Sequence, residues 1–332
     1  MYRISSTLLS ACAAASVLSS LPFLPAAAQS DRLAGAVDTK EGVKQSLSDR
    51  VLSGKRTARQ LTAQIMLDRA GFSPGVIDGL GGGNTTDAVR AYQRANDMEE
   101  TGQVDGAFTK HLREKDTARF LKVITLKSAD LDRPFRKIPE PMAEQAEMDS
   151  LGYENIQELI AERYHMDVDL LTAMNPDAEW TVGSALIVAA AGPAKLDEPV
   201  DRIIVDRSEN SVRAYSGDRQ VAFYPATVGS SDMPSPSGTM TVVTVAPDAN
   251  YTFDPETNNW GGQEALSLAA GPNNPVGGVW IDLSKETYGI HGSPDPALIG
   301  KTASHGCVRL TNWDARELAD AVEAGASVEF VG

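Results

Sequence analysis

The chain has 332 residues, 42% hydrophobic and 23% charged, which is enough for two or three domains with real cores and excludes dominant disorder or a disulfide-stapled scaffold. Thirty Lys and Arg against 45 Asp and Glu give a net charge of −15, which repels phosphate backbones and anionic lipid heads, so no nucleic acid and no membrane surface is expected as a partner. Two cysteines are present, Cys12 and Cys307, at opposite ends of the chain.

After Arg3 the chain is almost free of charge from Ile4 to Ala28 and closes on Ala26-Ala27-Ala28, so residues 1–28 read as a secretory signal peptide. Pro22 and Pro25 oppose a retained anchor helix, and the apolar run continues past Cys12, which argues against lipidation there. No later segment holds the ~18 apolar residues that span a bilayer. An exported protein of the periplasm or cell envelope is expected, without a membrane span once the signal is cut. Cleavage leaves Cys307 alone in an oxidising compartment, with no disulfide partner.

Residues 29–56 are polar and read as a flexible lead. Over 57–115 the spacing is helical. Leu61, Ile65 and Ala70 share one face; a second helix begins near Thr85 with Ala88, Val89, Tyr92 and Ala95 inward; a third follows Gly106. The stretches GFSPGVIDG, TTDAVRAYQRAND and GQVDGAFTKHL resemble the three-helix peptidoglycan-binding domain, which implies glycan as a ligand. A helical spacer without a ligand is the competing reading.

Residues 124–150 carry Pro134, Pro139 and Pro141 among charges and read as a linker. Over 151–190, Ile156, Leu159, Ile160 and Tyr164 form one helical face, Leu170, Leu171 and Met174 a second, and Leu186 to Val188 a closing strand. ELIAERYHMDVDLLTAMNP and VGSALIV resemble a LysM carbohydrate-binding module. His165 within it is expected to pack or face solvent.

From Pro199 the apolar period becomes two. Strands are expected at 202–206, 211–215, 220–228, 239–245, 279–283 and 327–331, with one helix from Asn312 to about Glu323, capped by Thr311 and Asp314 and ended by Gly325. Val322 is placed on its core face. The long loop from Pro247 to Gly278 holds Tyr251, Phe253 and Trp260, and loops of that length are usually functional covers. The expected architecture is α+β multidomain: a small three-helix module, a small LysM-like α+β module, and a mostly β catalytic domain over 200–331.

Two of the four histidines lie within 16 residues of Cys307, in YGIHGS (288–293) and SHGCVRL (304–310). A thiol becomes a nucleophile when an imidazole takes its proton or stabilises its thiolate, and a stabilised thiolate has a pKa below the free value of ~8.5. In an extended chain His305 and Cys307 stand roughly 6.6 Å apart, beyond hydrogen-bond reach. His291, arriving from a neighbouring segment, is therefore the base, with His305 in support. Gly306 lets the backbone bend, and the N–H groups of Gly306 and Cys307 are candidates for an oxyanion site. The Gly292 carbonyl can hold the second imidazole nitrogen and set the tautomer. Arg309 projects to the side of Cys307 and can grip a carboxylate. Ser304 and Tyr288 join it as candidate substrate contacts, Tyr288 also near the oxyanion site. Zinc would lack a fourth ligand, so no metal and no other cofactor is expected.

IHGS and SHGCVRL, with NPVGGVWIDLS upstream, resemble the YkuD-type L,D-transpeptidase domain. The resemblance implies peptidoglycan cross-linking: Cys307 attacks the L,D-peptide bond before the terminal D-Ala of a tetrapeptide stem, and an amine of a second stem resolves the acyl-enzyme. Peptidoglycan stem peptides and glycan are the implied partners. The same site with water as acceptor would be an L,D-carboxypeptidase or cross-link hydrolase, and a non-catalytic wall-binding scaffold is the reading from a different class.

Overall fold

The computed structural model describes residues 52, 54–192, 196–229, 235–256, 264–304 and 306–332. The expected signal peptide, Cys12, most of the flexible lead, Trp260 and His305 lie outside the described residues.

Helix starts are set by short polar side chains that accept backbone N–H groups left unpaired at the first turn. Thr57 does this for α1 (Ala58–Arg69). α2 (Gly83–Ala95) starts at the glycine run without a side-chain cap, two residues earlier than the spacing suggests. Asp105 caps α3 (Gly106–Lys115), accepting from the Phe108 N–H at 2.8 Å. α1 is buried along its whole middle, Leu61 to Asp68, because it lies between two cores. Leu61 and Ile65 pack with the middle of the chain, whereas Ala63, Met66 and Leu67 pack with α2, α3 and Phe223. A single-face reading of this helix therefore found half of its contacts. Ala70, placed on that face, is instead the exposed C-cap.

Strand β1 (Leu121–Thr125) pairs antiparallel with a strand more than fifty residues later, and the stretch between corrects the expected linker. Residues 124–150 begin inside β1 and hold two short helices, α4 (Ser128–Leu131) and α5 (Met142–Gln145). The prolines there punctuate turns between these pieces. α6 (Ile156–Arg163) and α7 (Val168–Met174) follow, capped by Asn155 and Asp167, and β2 (Ala185–Ala189) closes the pairing with β1. The middle unit thus opens at Leu121, thirty residues before the boundary read from the sequence. Its core continues into α1 without a gap.

The C-terminal region builds an eight-stranded sheet. β3 (Val200–Asp206), β4 (Ser211–Ser216) and β5 (Arg219–Pro225) form an antiparallel meander. β6 (Gly238–Pro247) follows, and a two-stranded hairpin, β7 (Tyr251–Phe253) with β8 (Leu266–Leu268), lies inside the segment read as a loop. β9 (Val279–Leu283), β10 (Gly289–His291), β11 (Val308–Arg309), helix α8 (Asn312–Ala321) and β12 (Val322–Val331) complete it. The order is β11-β10-β9-β6-β12-β3-β4-β5. Beyond β5, Thr227 pairs with Arg309, so the sheet curls until its far edges meet at the Cys307 segment.

α8 ends at Ala321, not at Gly325. Val322 already pairs with Val200, and Gly325, at φ +95°, sits in the bulge between Val322 and Ser327. The strand wins because Val322, Val328 and Phe330 are buried in the same core as Ile203 and Val205.

Candidate active site

Parallel pairing of β10 with β11 puts Ile290 opposite Val308 and His291 opposite Arg309. Ile290 and Val308 are fully buried in the sheet core, so His291 and Arg309 stand on the other face, as alternation requires. Cys307, two residues before Arg309, lies on that same face beside Gly289, which gives its sulfur a backbone hydrogen bond. The thiol itself donates to the Thr287 carbonyl at 3.6 Å. Sheet register therefore brings together Cys307, His291 and Arg309.

His291 is buried, and its Nδ1 lies 2.7 Å from the Gly292 carbonyl oxygen. A carbonyl can only accept, so Nδ1 carries the hydrogen and Nε2 keeps a free lone pair. Burial, with the Arg309 charge adding to it and the Gly292 bond opposing, pushes the imidazole pKa down to about 4. It is neutral at any physiological pH. Trp280, paired with His291 across β9 and β10, stacks on the imidazole with centroids 5.5 Å apart and 20° between planes. The indole also crosses Gly289, where a Cβ would stand 2.4 Å from its ring.

The half-buried Cys307 thiol is pushed up, not down: burial outweighs the Gly289 bond and the Arg309 charge. This corrects the expectation of a lowered thiol. The resting site is a neutral thiol near a neutral imidazole, so proton removal must accompany attack. Arg309 is half-buried, and its Nε is buried without a hydrogen-bond partner among the described residues.

Two other assignments change. The Gly306 N–H donates to Ser304 Oγ at 3.1 Å, and the Gly306 carbonyl accepts from Ser235 Oγ at 2.7 Å. Both backbone polar groups of Gly306 are used, so its N–H is not free to serve as an oxyanion donor. It is needed for its backbone, with φ +122°. Ser304 is buried and holds the turn, donating to the Cys307 carbonyl, and is no substrate contact. The Cys307 N–H has no hydrogen-bond partner among the described residues and remains a candidate oxyanion donor. Tyr288 lies in the β9–β10 turn under Lys285, whose Nζ is 4.7 Å from its ring.

Tyr251, Trp280, Ser235 and Asn312 are site residues that sequence reasoning did not assign. Tyr251 is carried by the β7–β8 hairpin, and its phenol is raised by burial and then by the Cys307 charge. Its position in a long aromatic loop was the one available signal. Asn312 Oδ1 accepts from the Ser293 N–H at 2.9 Å. No cluster of three or more His, Cys, Asp or Glu fit for a metal occurs among the described residues. His165, expected to pack or face solvent, is buried; it bonds Asp68 at 2.9 Å and stacks on Trp313 at 5.0 Å.

The family model for the L,D-transpeptidase catalytic domain matches residues 200–330, and that for "Putative peptidoglycan binding domain" matches residues 59–112. The chain is 31% identical over 176 residues to "Putative L,D-transpeptidase YkuD" of Bacillus licheniformis, covering 52% of this chain and 92% of that protein. It is 29% identical over 186 residues to "Probable L,D-transpeptidase ErfK/SrfK" of Escherichia coli, covering 52% of this chain and 58% of that one. Among solved structures, L,D-transpeptidase 3 from Mycobacterium tuberculosis with a faropenem-derived adduct aligns at TM-score 0.35 and 15% identity, over 47% of this chain and 77% of that one.

Proposed function

The chain belongs to the YkuD-type L,D-transpeptidase family, and from that premise we propose that it cross-links peptidoglycan stems through a thioester on Cys307. Enzymes of this type act in the cell wall or envelope, and no helix among the described residues is long and apolar enough to cross a membrane. What supports the reading is the pairing of His291 with Arg309, two residues from Cys307, together with the hold of Gly292 on His291 Nδ1.

A tetrapeptide stem enters with the carboxylate of its terminal D-Ala on Arg309. The thiol leaves the Thr287 carbonyl, its sulfur attacks the L,D-peptide carbonyl carbon, and its proton passes to His291 Nε2. The Cys307 N–H stabilises the oxyanion, a donor typically worth ~3 kcal/mol of barrier. The C–N bond breaks as the imidazolium returns the proton to the leaving D-Ala amine, which leaves a thioester. An amine of a second stem then attacks; His291 takes its proton and returns one to sulfur, giving the 3-3 cross-link and free thiol. Tyr251 and the hairpin that carries it shield the thioester from water.

The two N-terminal units would hold the enzyme on the polymer and raise the local concentration of stems. An expected export signal at 1–28 fits the same location. Product analysis tests the reading. Purified protein mixed with disaccharide-tetrapeptide should yield a dimer that has lost one D-Ala, absent with Cys307→Ala. Tripeptide without dimer would make it a carboxypeptidase, and unchanged substrate would favour a scaffold.

A further inference from the structure

We propose that Glu162, in the middle unit, is a positioning residue for the catalytic histidine, acting through Asn312. It rests on the reading of His291 as the base. The catalytic region supplies nucleophile, base and carboxylate grip, yet the segment that orients the base is held from outside it.

Every polar atom of the Asn312 side chain is engaged. Oδ1 accepts from the Ser293 N–H at 2.9 Å, while Nδ2 donates to Glu162 Oε2 and to the Pro272 carbonyl, both at 3.0 Å. Packing here leaves no slack. A Cβ on Gly277 would stand 1.8 Å from Asn312 Oδ1, and one on Gly292 would stand 2.3 Å from it. Asn312 is thus pressed against the peptide whose carbonyl receives His291 Nδ1–H. Rotation of its amide would put Nδ2, a donor, where the Ser293 N–H needs an acceptor. Glu162, when ionised, and the Pro272 carbonyl both oppose that rotation, because each accepts from Nδ2 and neither can donate to Oδ1.

Glu162 is itself fixed by the Tyr153 hydroxyl, which donates to Oε1 at 2.9 Å. The same unit also grips the segment that follows β8. Leu151 N–H donates to the Ala270 carbonyl at 3.2 Å, and Asn273 N–H donates to the Leu151 carbonyl at 3.0 Å. Asn273 Nδ2 adds a bond to Glu158 Oε1 at 2.6 Å. The middle unit therefore holds both Asn312, which braces the peptide behind His291, and the segment that follows β8.

The test combines nitrogen-15 NMR of His291 with steady-state kinetics on disaccharide-tetrapeptide. Glu162→Met keeps volume and removes the acceptors. It should lower the Nδ1–H tautomer population of His291 and reduce kcat about tenfold, with KM within about twofold. Glu162→Gln, whose oxygen can still accept from Asn312 while its amide faces Tyr153, should restore both. Asn312→Ala combined with Glu162→Met should lose no more than Asn312→Ala alone. A lower melting temperature with unchanged tautomer and kcat would overturn the proposal, as would multiplicative losses in the double variant. Should Glu162→Met not fold, Tyr153→Phe should shift the tautomer in the same direction, and no shift would overturn it. If the wild-type protein does not turn over the substrate, the transpeptidase reading fails while the tautomer measurement still decides this one.

Discussion

Glu317→Gln should flatten the pH dependence of stability and stabilise the protein at pH 8. Glu317, Asp314, Asp68 and His165 are buried together where all three regions of the chain meet. Glu317 Oε1 accepts from the Tyr224 hydroxyl at 2.7 Å, and Asp314 Oδ2 accepts from Ser73 Oγ at 3.0 Å. Burial, with Asp68 adding repulsion, raises the Glu317 pKa from 4.5 to about 7, and burial pushes Asp314 well above its ordinary value. For His165 burial works against the charged form, but Asp68, Asp314 and Glu317 overcome it and raise the pKa.

A carboxyl raised on folding binds more protons in the native state, so its contribution falls as pH rises from its unfolded to its folded value. A raised histidine acts in the same direction: its contribution is complete below its unfolded value and is lost as pH climbs through the folded one. For Glu317 the interval from 4.5 to about 7 corresponds to at most about 3 kcal/mol at pH 8. Melting followed by circular dichroism from pH 5 to 8 should show the wild-type protein losing several degrees. Glu317→Gln keeps an acceptor for Tyr224, removes the titration, and should lose much less. A variant with the wild-type slope, or one less stable than wild type at pH 8, would refute the reasoning.

The buried imidazole sets the acid side of catalysis: kcat/KM should hold at pH 5.5 and fall with an apparent pKa near 4, and an acid limb above 6 would contradict the assignment of His291. Iodoacetamide should alkylate Cys307 of the resting enzyme with a pKa above the free thiol value of ~8.5, whereas rapid labelling at pH 6.5 would show a resting thiolate. Arg309→Met should raise KM for stems ending in a free carboxylate and move the acid limb upward, since the lost charge disfavoured the imidazolium; an unmoved limb would place Arg309 away from His291. Gly289→Ala puts a Cβ 2.4 Å from the Trp280 ring, so activity should fall more than tenfold with a change in indole fluorescence; full activity would mean the stack is dispensable.

The period-2 strands and the two histidine motifs were legible because burial on one face and chemistry in short stretches leave local traces. Val322 was not: nothing nearby says that the chain turns extended there, since its partner Val200 lies over a hundred residues away. β1 was hidden for the same reason, as four helices and a proline-rich stretch separate it from its partner β2. The oxyanion assignment failed at Gly306 because donors look free until tertiary contacts are known, and Ser304 and Ser235 occupy both of its polar groups. The lowered thiol failed because burial acts on Cys307 through the whole fold, while sequence shows only the neighbouring imidazoles.

Intact-protein mass spectrometry of the enzyme quenched in acid during turnover tests the central claim most directly. The account predicts a hydroxylamine-labile adduct on Cys307 with the mass of the disaccharide-tripeptide acyl group, which decays when a second stem is added and is absent in Cys307→Ala. Dimer formation with no adduct on Cys307, or with Cys307→Ala still active, would contradict it.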